Sequence, residues 1–486
     1  MSSEILQLTP KNVWKHFHSF TQIPRPTGKM DEITKFIIDF GKSLNFDVEQ
    51  DKTGNIVIRK PATPGYEGAK TVILQSHLDM VSQKNADVTH DFLKDAIETV
   101  VEGDWVKARN TTLGADNGIG CAMMLAVLED STLQHPAIEA LFTVDEEVGL
   151  VGANGLDGKL LKGSILINLD GGMENELCIG CAGGRDINIT FQFKADKKID
   201  KGDVAFKISL TGLKGGHSGT QIHLGHANAN KLMNRFLKDV VRNYEARLSS
   251  IEGGSLRNAI PRESFVVLTI PEQLSDDLVD LVAEYKALFR EDFTGIEEHI
   301  SFKAHKTELP TSLIPEEIQD DLINAIEGCP NGVISYLADF PDVVESSLNL
   351  ALIASSEEQI DIKLLVRSSS ESRKNWVCSA TESVFLLAGA KVEFSGDYPG
   401  WQPNVHSELL ITMEKKHVEM FGKRPDVMVV HAGLECGIIQ SNVQQKLDIV
   451  SFGPTIVDAH SPDEKVEIST VGRSYEYLVA VLEELK

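Results

Sequence analysis

The sequence predicts an α/β protein in which a mixed sheet lies between helices and a second, α+β domain is inserted into the first. Three observations predict it. Helical and strand periodicities alternate over the first 185 residues or so, the pattern of a sheet covered by helices on both faces. After "GCAGGRD" at 180–186 the pattern changes to period-two strands and a long amphipathic helix. From about residue 400 the first alternation returns and runs to a closing helix. The predicted limits are 1–185 with 400–486 for a discontinuous first domain, and 186–399 for the insert.

The elements follow in order. Residues 10–22 and 30–45 read as helices, and short strands follow near 46–50, 55–59 and 71–76. In "GIGCAMMLAVLED" the apolar residues Ile119, Ala122, Met123, Ala126 and Val127 share one helix face. A strand at 138–144, a helical patch near 151–161 and the strand "SILINLD" at 164–170 complete the first stretch. In the insert, "INITFQF" and "VAFKISLTGL" alternate as strands do. A helix follows with Leu232, Met233, Phe236, Leu237, Val240 and Val241 on one stripe. Then come a strand at 264–270, a helix at 276–290 and a strand near 298–304. Similar elements recur to about 396: a helix after Pro315, strands near 347–353 and 359–366, a helix at 372–388 and a strand at 390–395. That recurrence points to an internal duplication. The closing helix carries the stripe Val471, Tyr475, Leu478, Val479 and Leu482.

Composition bounds the function. A chain of 486 residues exceeds one ordinary core. With 47 basic and 72 acidic residues the formal charge is −25, which argues against a nucleic-acid partner, since that needs a basic face. No segment has the apolar length of a membrane span, and "MSSEILQLTPKN" lacks the basic and apolar regions of a signal peptide. Six scattered cysteines without a C-x-x-C pair read as reduced thiols. The expected setting is cytoplasmic.

The chemistry gathers at the ends of apolar runs. "LFTVDEEVGL" starts as a buried strand and ends in Asp145, Glu146 and Glu147. Three adjacent carboxylates repel one another unless something offsets them. A solvated turn is the bland answer; a bound cation is the sharp one. "TVILQSHLDMV" ends in His77 and Asp79, two apart and so on one face of an extended chain. "TLGADNGIG" places Asp116 before a helix, where an N-cap is the ordinary reading. "LINLDGG" ends in Asp170, and "GPTIVDAHSPDEKV" puts His460 in a loop. Each is ordinary alone. Together they place His and carboxylate ligands where an α/β sheet gathers its site, a set that suits a borderline divalent ion such as zinc. Asp116 could bridge two ions, which two-metal hydrolases hold about 3.5–4 Å apart.

In order along the chain, "HLDMV", "GADNGIG", "DEEVGLVGA", "LDGG", "KGGHSG" and "AHSPDE" resemble the di-zinc metallopeptidase family that includes aminoacylases and dipeptidases. "VIRKPATPG", "TTLGADNGIG", "LKGGHSG", "RNAIPRE", "YPGWQP", "HAGLECG" and "GPTI" are similar to its dipeptidase branch. The resemblance covers nearly the whole chain and is weakest at 290–320. It implies a phosphorylase/hydrolase-like catalytic domain with an inserted α+β lid. It also implies two divalent ions, zinc for preference, with cobalt or manganese tolerated by the same ligands. His77 and Asp170 are implied for one ion, Glu147 and His460 for the other, and Asp116 for the bridge. Asp79 is implied to orient His77, Glu146 to act as general base, and Asp145 only to turn the chain.

The same resemblance implies that His217 in "GGHSG" donates to the oxyanion and that Arg367 holds the carboxylate of a small peptide. Asn258 is a second polar contact, and Glu435 a candidate acceptor for the peptide's amine. His223 and His226 read as incidental, and His431 carries no role. The expected activity is hydrolysis of unblocked dipeptides, including those ending in His, on a site completed by closure of the insert. The alternatives are an aminoacylase, tripeptidase or carboxypeptidase of the same family, a catalytically inactive peptide-binding protein, or a phosphate-binding protein using "GADNGIG". The last leaves His77, Asp170 and His460 without a task. A homodimer stays open.

Overall fold

The computed structural model describes residues 4–486. The chain packs into two compact units. Of the described residues, one comprises those up to 180, 401–429 and 434–486; the other comprises 181–400 and 430–433. The short excursion at 430–433 has no counterpart in the sequence reading.

The first unit is built on an eight-stranded sheet. Its order is Asp47–Gln50, Ile56–Lys60, Ile138–Thr143, Val72–His77, Ile165–Asn168, Asp448–Ser451, Glu176–Cys181 and Asp426–Val430. Val72–His77 pairs in parallel with both neighbours, and Ile165–Asn168 pairs in parallel with Asp448–Ser451. The outer pairs at the Asp47 end are antiparallel, so the sheet is mixed. The central strands read as unbroken apolar runs because both their faces are covered. Every residue of Val72–His77, Ile138–Thr143 and Ile165–Asn168 is buried.

Helix Ala115–Glu129 departs from the expected one-sided stripe. Met124, Leu125 and Leu128, off the predicted face, are buried too. No charged residue occurs from Asn117 to Leu128, so this helix can be enclosed on all sides. Lys11–Gln22 packs against it. The patch expected at 151–161 is a short helix, Val151–Asn154, and a 3-10 turn, Gly158–Leu160. A separate four-stranded sheet, unforeseen, joins Ile456–Val457, Lys465–Glu467, Trp105–Ala108 and Thr99–Glu102.

The second unit is a nine-stranded antiparallel sheet in two halves. From one edge run Ser301–Thr307, Asp203–Thr211, Ser264–Pro271 and Arg247–Gly253. From the other run Lys391–Tyr398, Gly183–Gln192, Gln359–Ser368 and Val344–Ser355. Ranked by chain position, each half reads fourth, first, third, second toward the seam. The seam is the pairing of Glu252–Gly253 with Ile353–Ala354. Gly332–Tyr336 adds to Val344–Ser355 off this path. Helix Ala229–Asn243 buries Leu232, Met233, Phe236, Leu237 and Val240, and Phe236 packs edge-on against Phe302.

Among the described residues no helix is long and apolar enough to cross a membrane. All six cysteines are buried.

Candidate active site

Three adjacent parallel strands, Ile138–Thr143, Val72–His77 and Ile165–Asn168, end at the same edge of the first unit's sheet. Carboxyl ends of parallel strands are where α/β sheets carry ligands. His77 closes its strand, with Thr143 opposite it. Asp79, Glu146, Glu147 and Asp170 follow within a few residues. Beyond Thr143 the chain is no longer extended, and Asp145 has a φ of 50°. This release from strand alternation lets Glu146 and Glu147 both face His77, with which they form one cluster.

Asp116 comes from the start of the buried helix. Its carboxylate oxygens are turned to the two histidines and not to helix N–H groups, and Gly114, which precedes the helix, offers no side-chain cap. The helix approaches the strand ends closely at Gly120. A Cβ there would lie 2.6 Å from the Leu169 carbonyl oxygen and 2.6 Å from Ser76 Oγ. His460 stands in the loop between the paired strands Ile456–Val457 and Lys465–Glu467.

Asp116 sits between the two histidines. Its Oδ1 is 3.1 Å from His77 Nε2 and its Oδ2 is 3.2 Å from His460 Nε2. His77 Nε2 is also 3.6 Å from Asp170 Oδ1, and His460 Nε2 is 3.1 Å from Glu147 Oε2. Potential ligand atoms in each of three groups lie within 4.8 Å of one another: His77–Asp116–Asp170, Asp116–Glu147–His460 and His77–Glu146–Glu147. Two groups share Asp116, and the third holds both glutamates.

Neighbouring groups fix these side chains. Asp79 Oδ1 is 3.5 Å from His77 Nδ1, on the side of the ring away from the cluster. The Asp79 carboxylate also accepts the Glu146 N–H at 2.9 Å, the Glu147 N–H at 3.2 Å and the Thr27 hydroxyl at 2.9 Å. It therefore organises the acidic turn as well as the histidine. Asn117 donates to Asp170 Oδ1 at 2.6 Å and to the Leu169 carbonyl at 2.9 Å. Asp145 accepts the Gly28 N–H at 2.6 Å.

The electrostatics are those of a cation site. Burial raises the Asp170 carboxyl to about 6, helped by Asp116 and Glu147, while His77 opposes the rise. Burial, with Glu435, Asp170 and Glu147 nearby, holds Glu146 well above the usual carboxylate range. Hydrogen bonds to Asp116 and Glu147 lift His460 to about 10, although its side chain is 53% exposed. Burial disfavours charge on Asp79, but His77 and the Glu146 N–H bring it down to about 2. One oxygen of buried Glu147, Oε1, has no partner. Carboxylates in excess over histidines, at this spacing and with an unpaired buried oxygen, fit divalent cations.

Glu435 is not in a loop. It begins helix Glu435–Asn442 and is only 3% exposed. Its Oε2 accepts from Gln75 at 2.6 Å and from Thr143 at 2.9 Å. Burial raises this carboxyl to about 7. It is enclosed, and its charge contributes to the raised Glu146 carboxyl.

The second unit gathers its own polar group. His217 lies in the short strand Gly216–His217, paired with Ala259. Its Nδ1 accepts the N–H groups of Gly219 at 3.2 Å and Thr220 at 3.1 Å. In the neutral ring this places the proton on Nε2, which is then a donor. Burial and nearby Arg367 lower the His217 pKa, favouring the neutral ring. Asn258 is exposed beside it, its carbonyl accepting the Ser218 N–H at 2.8 Å. Arg367, buried near the end of Gln359–Ser368, donates to the Tyr398 hydroxyl at 2.9 Å and leaves its Nε unpartnered.

A Cβ on Gly219 would lie 3.0 Å from His217 Cε1, 3.2 Å from Arg367 Nε and 2.2 Å from the His431 carbonyl oxygen. These residues therefore form one cluster. His431 pairs with Ser347 Oγ at 2.7 Å, and burial, then Arg367, depress its pKa to about 3. Tyr398, Ser347 and His431 received no role from sequence, although "YPGWQP" and "HAGLECG" mark two of them. His226 turns onto the Gly215 carbonyl, a local contact, and His223 is exposed.

Comparison with known proteins adds independent findings. Residues 73–484 match the peptidase family M20/M25/M40. The chain is 42% identical to the cytosol non-specific dipeptidase of Escherichia coli (strain K12), over 99% of each. It superposes on the crystal structure of aminoacylhistidine dipeptidase from Vibrio alginolyticus with a TM-score of 0.95 and 43% identity, covering 100% of this chain and 99% of that one. The aminopeptidase PepT structure from Bacillus cereus ATCC 10987 shares the fold, with a TM-score of 0.58 at 17% identity over 98% and 99% of the two chains.

Proposed function

Since the chain belongs to the peptidase family M20/M25/M40, we propose that it is a metal-dependent dipeptidase acting in the cytoplasm on unblocked dipeptides, including Xaa-His. The sharing of Asp116 between two ligand groups, with Glu146 beside them, carries this reading. The proposed ligands are His77 and Asp170 for one ion, Glu147 and His460 for the other, and Asp116 for both. Two divalent ions there, zinc for preference and cobalt or manganese as alternatives, supply a Lewis acid for the scissile carbonyl and acidify water.

The chain's own residues supply the rest. Glu146 takes the proton of the attacking water and returns it to the leaving amine, a task that favours a carboxyl with a raised pKa. His217 donates from Nε2 to the carbonyl oxygen as negative charge develops there. Asp79 holds the His77 ring with Nε2 turned to the ligand group. Arg367 binds the substrate's carboxylate, for which its planar fork is suited. Asn258 provides a further polar contact.

Purified protein is expected to cleave an unblocked dipeptide ending in His, to stop on chelation and to recover with added zinc. Metal-loaded protein that leaves dipeptides intact but cleaves tripeptides or N-acyl amino acids would shift the substrate class within the family. Arg367→Ala is expected to raise KM for dipeptides about tenfold or more, the scale of a charged hydrogen bond. A dipeptide amide, which lacks the carboxylate, should lose far less. Equal kinetics of the variant and parent on free dipeptides would remove Arg367 from the site.

A further inference from the structure

Two buried, oppositely charged side chains lie under the candidate ligands. Arg25 is 1% exposed and Glu464 is 2% exposed. Neither is among the proposed ligands or acid–base groups. Long charged side chains are rarely buried without a specific set of partners.

The partners are backbone groups of the ligand-bearing loops. Glu464 Oε2 accepts the N–H groups of Leu113 at 2.8 Å and Gly114 at 3.0 Å. Its Oε1 accepts those of Ala115 at 2.8 Å and Asp116 at 3.2 Å. One carboxylate thus collects four successive N–H groups ending at Asp116. Arg25 Nη1 donates to the carbonyls of Leu78 at 2.9 Å and Asp79 at 3.1 Å, just after His77. Its Nη2 donates to the Gly114 carbonyl. Gly114 is therefore held by its N–H on Glu464 and by its carbonyl on Arg25. Its φ of 71° favours glycine, and a Cβ there would lie 2.5 Å from Arg25 Nη2.

The rest of the Arg25 segment reaches the same loops. Pro26 bridges to Met80, Thr27 bonds the Asp79 carboxylate and Gly28 bonds Asp145. Glu464 belongs to the His460 loop, closed by the Glu464 N–H on the Ser461 carbonyl at 3.1 Å. Three loops, carrying His77, Asp116 and His460, thus converge on two side chains.

We propose that Arg25 and Glu464 are positioning residues that fix the spacing of Asp116 from His77 and His460, holding the site ready for two divalent ions. The proposal rests on the metal-site reading above. The fork of Arg25 spans two loops, which a single ammonium cannot do with the same geometry. The carboxylate of Glu464 has only acceptors, which four N–H donors require. An amide would turn its NH2 toward two of them.

The test is chelator competition on the zinc-loaded protein, read as zinc affinity, with turnover followed at rising zinc and the melting temperature of the metal-free protein measured alongside. Glu464→Gln and Arg25→Lys are each expected to weaken zinc binding 10–100-fold, the range for groups that orient metal ligands. Turnover should recover to within a few-fold at saturating zinc, with KM for peptide unchanged. Leu410→Ala, a core truncation in the same unit, should lower the melting temperature without moving the chelator curve. Curves within twofold of the parent for both clamp variants would overturn the proposal. So would an equal shift in Leu410→Ala. Parent protein that binds no zinc would instead remove the metal-site reading itself, and the clamp with it. Should Glu464→Gln fail to fold, Arg25→Lys gives the same readout.

Discussion

Glu146→Ala is expected to keep its full complement of metal and lose turnover by on the order of 10²- to 10⁴-fold, the range for general-base catalysis. The two adjacent glutamates make this a demanding case. Both lie within reach of His77, so geometry admits either as a ligand. Their other neighbours separate them. Glu147 Oε2 is 3.1 Å from His460 and shares a second ligand group with Asp116. Glu146 belongs to neither group that contains Asp116, and burial among Glu435, Asp170 and Glu147 favours its protonated form. Its truncation leaves both ligand groups that contain Asp116 intact, so metal retention follows from the ligand geometry. KM should change little, because the lost interaction develops in the transition state. Metal content by elemental analysis, beside kcat, decides the matter. A metal-depleted variant would reverse the roles of the two glutamates.

Asp116→Ala is expected to do the opposite and remove metal. One Asp116 oxygen faces His77 and the other faces His460, so a single truncation takes a ligand from both groups. Metal content should fall from two ions toward none, and turnover should fall to background. Stability provides a second readout. A ligand that binds only the folded state stabilises it by about 4 kcal/mol at a thousandfold excess over Kd. The parent should therefore melt at higher temperature when zinc is added, and Asp116→Ala should lose most of that rise. Its metal-free form should melt somewhat below the metal-free parent, because Asp116 pairs with both histidines there, so the readout is the size of the zinc-induced rise in each protein. A variant that still binds two ions would show that Asp116 is not shared.

The parts of the fold most legible in sequence are those whose burial is complete. The central strands announce themselves as apolar runs, and the chemistry follows at their ends in His77, Glu146, Glu147 and Asp170. Helix Ala115–Glu129 was legible as a helix but misread as one-sided, because small and apolar residues occur all round it. Short edge elements were missed. Thr99–Glu102 and Trp105–Ala108 are only four residues each, too short for a period of two to stand out, although their sheet supports the His460 loop. Arg25 and Glu464 escaped for another reason. Single charged residues in loops ordinarily face water, and only the three-dimensional path of the backbone shows that these two do not. Asp79 was read only as a partner for His77. Its bonds to Glu146 and Glu147 depend on where the acidic turn folds back, which residue spacing does not reveal.

The strand order of the first unit also bears on how the chain is made. Asp448–Ser451 lies between Ile165–Asn168 and Glu176–Cys181 and pairs with both. Two strands close in sequence are thus joined through a third that leaves the ribosome much later. At roughly 5–20 residues per second, the interval lasts tens of seconds. Throughout it, the apolar strand Ile165–Asn168 presents an open edge, the kind of surface that recruits other chains. The second unit draws nearly all its strands from one continuous stretch and can close during that wait. The nascent protein therefore finishes its middle before its beginning, and the period before residue 451 emerges is when it most needs a chaperone.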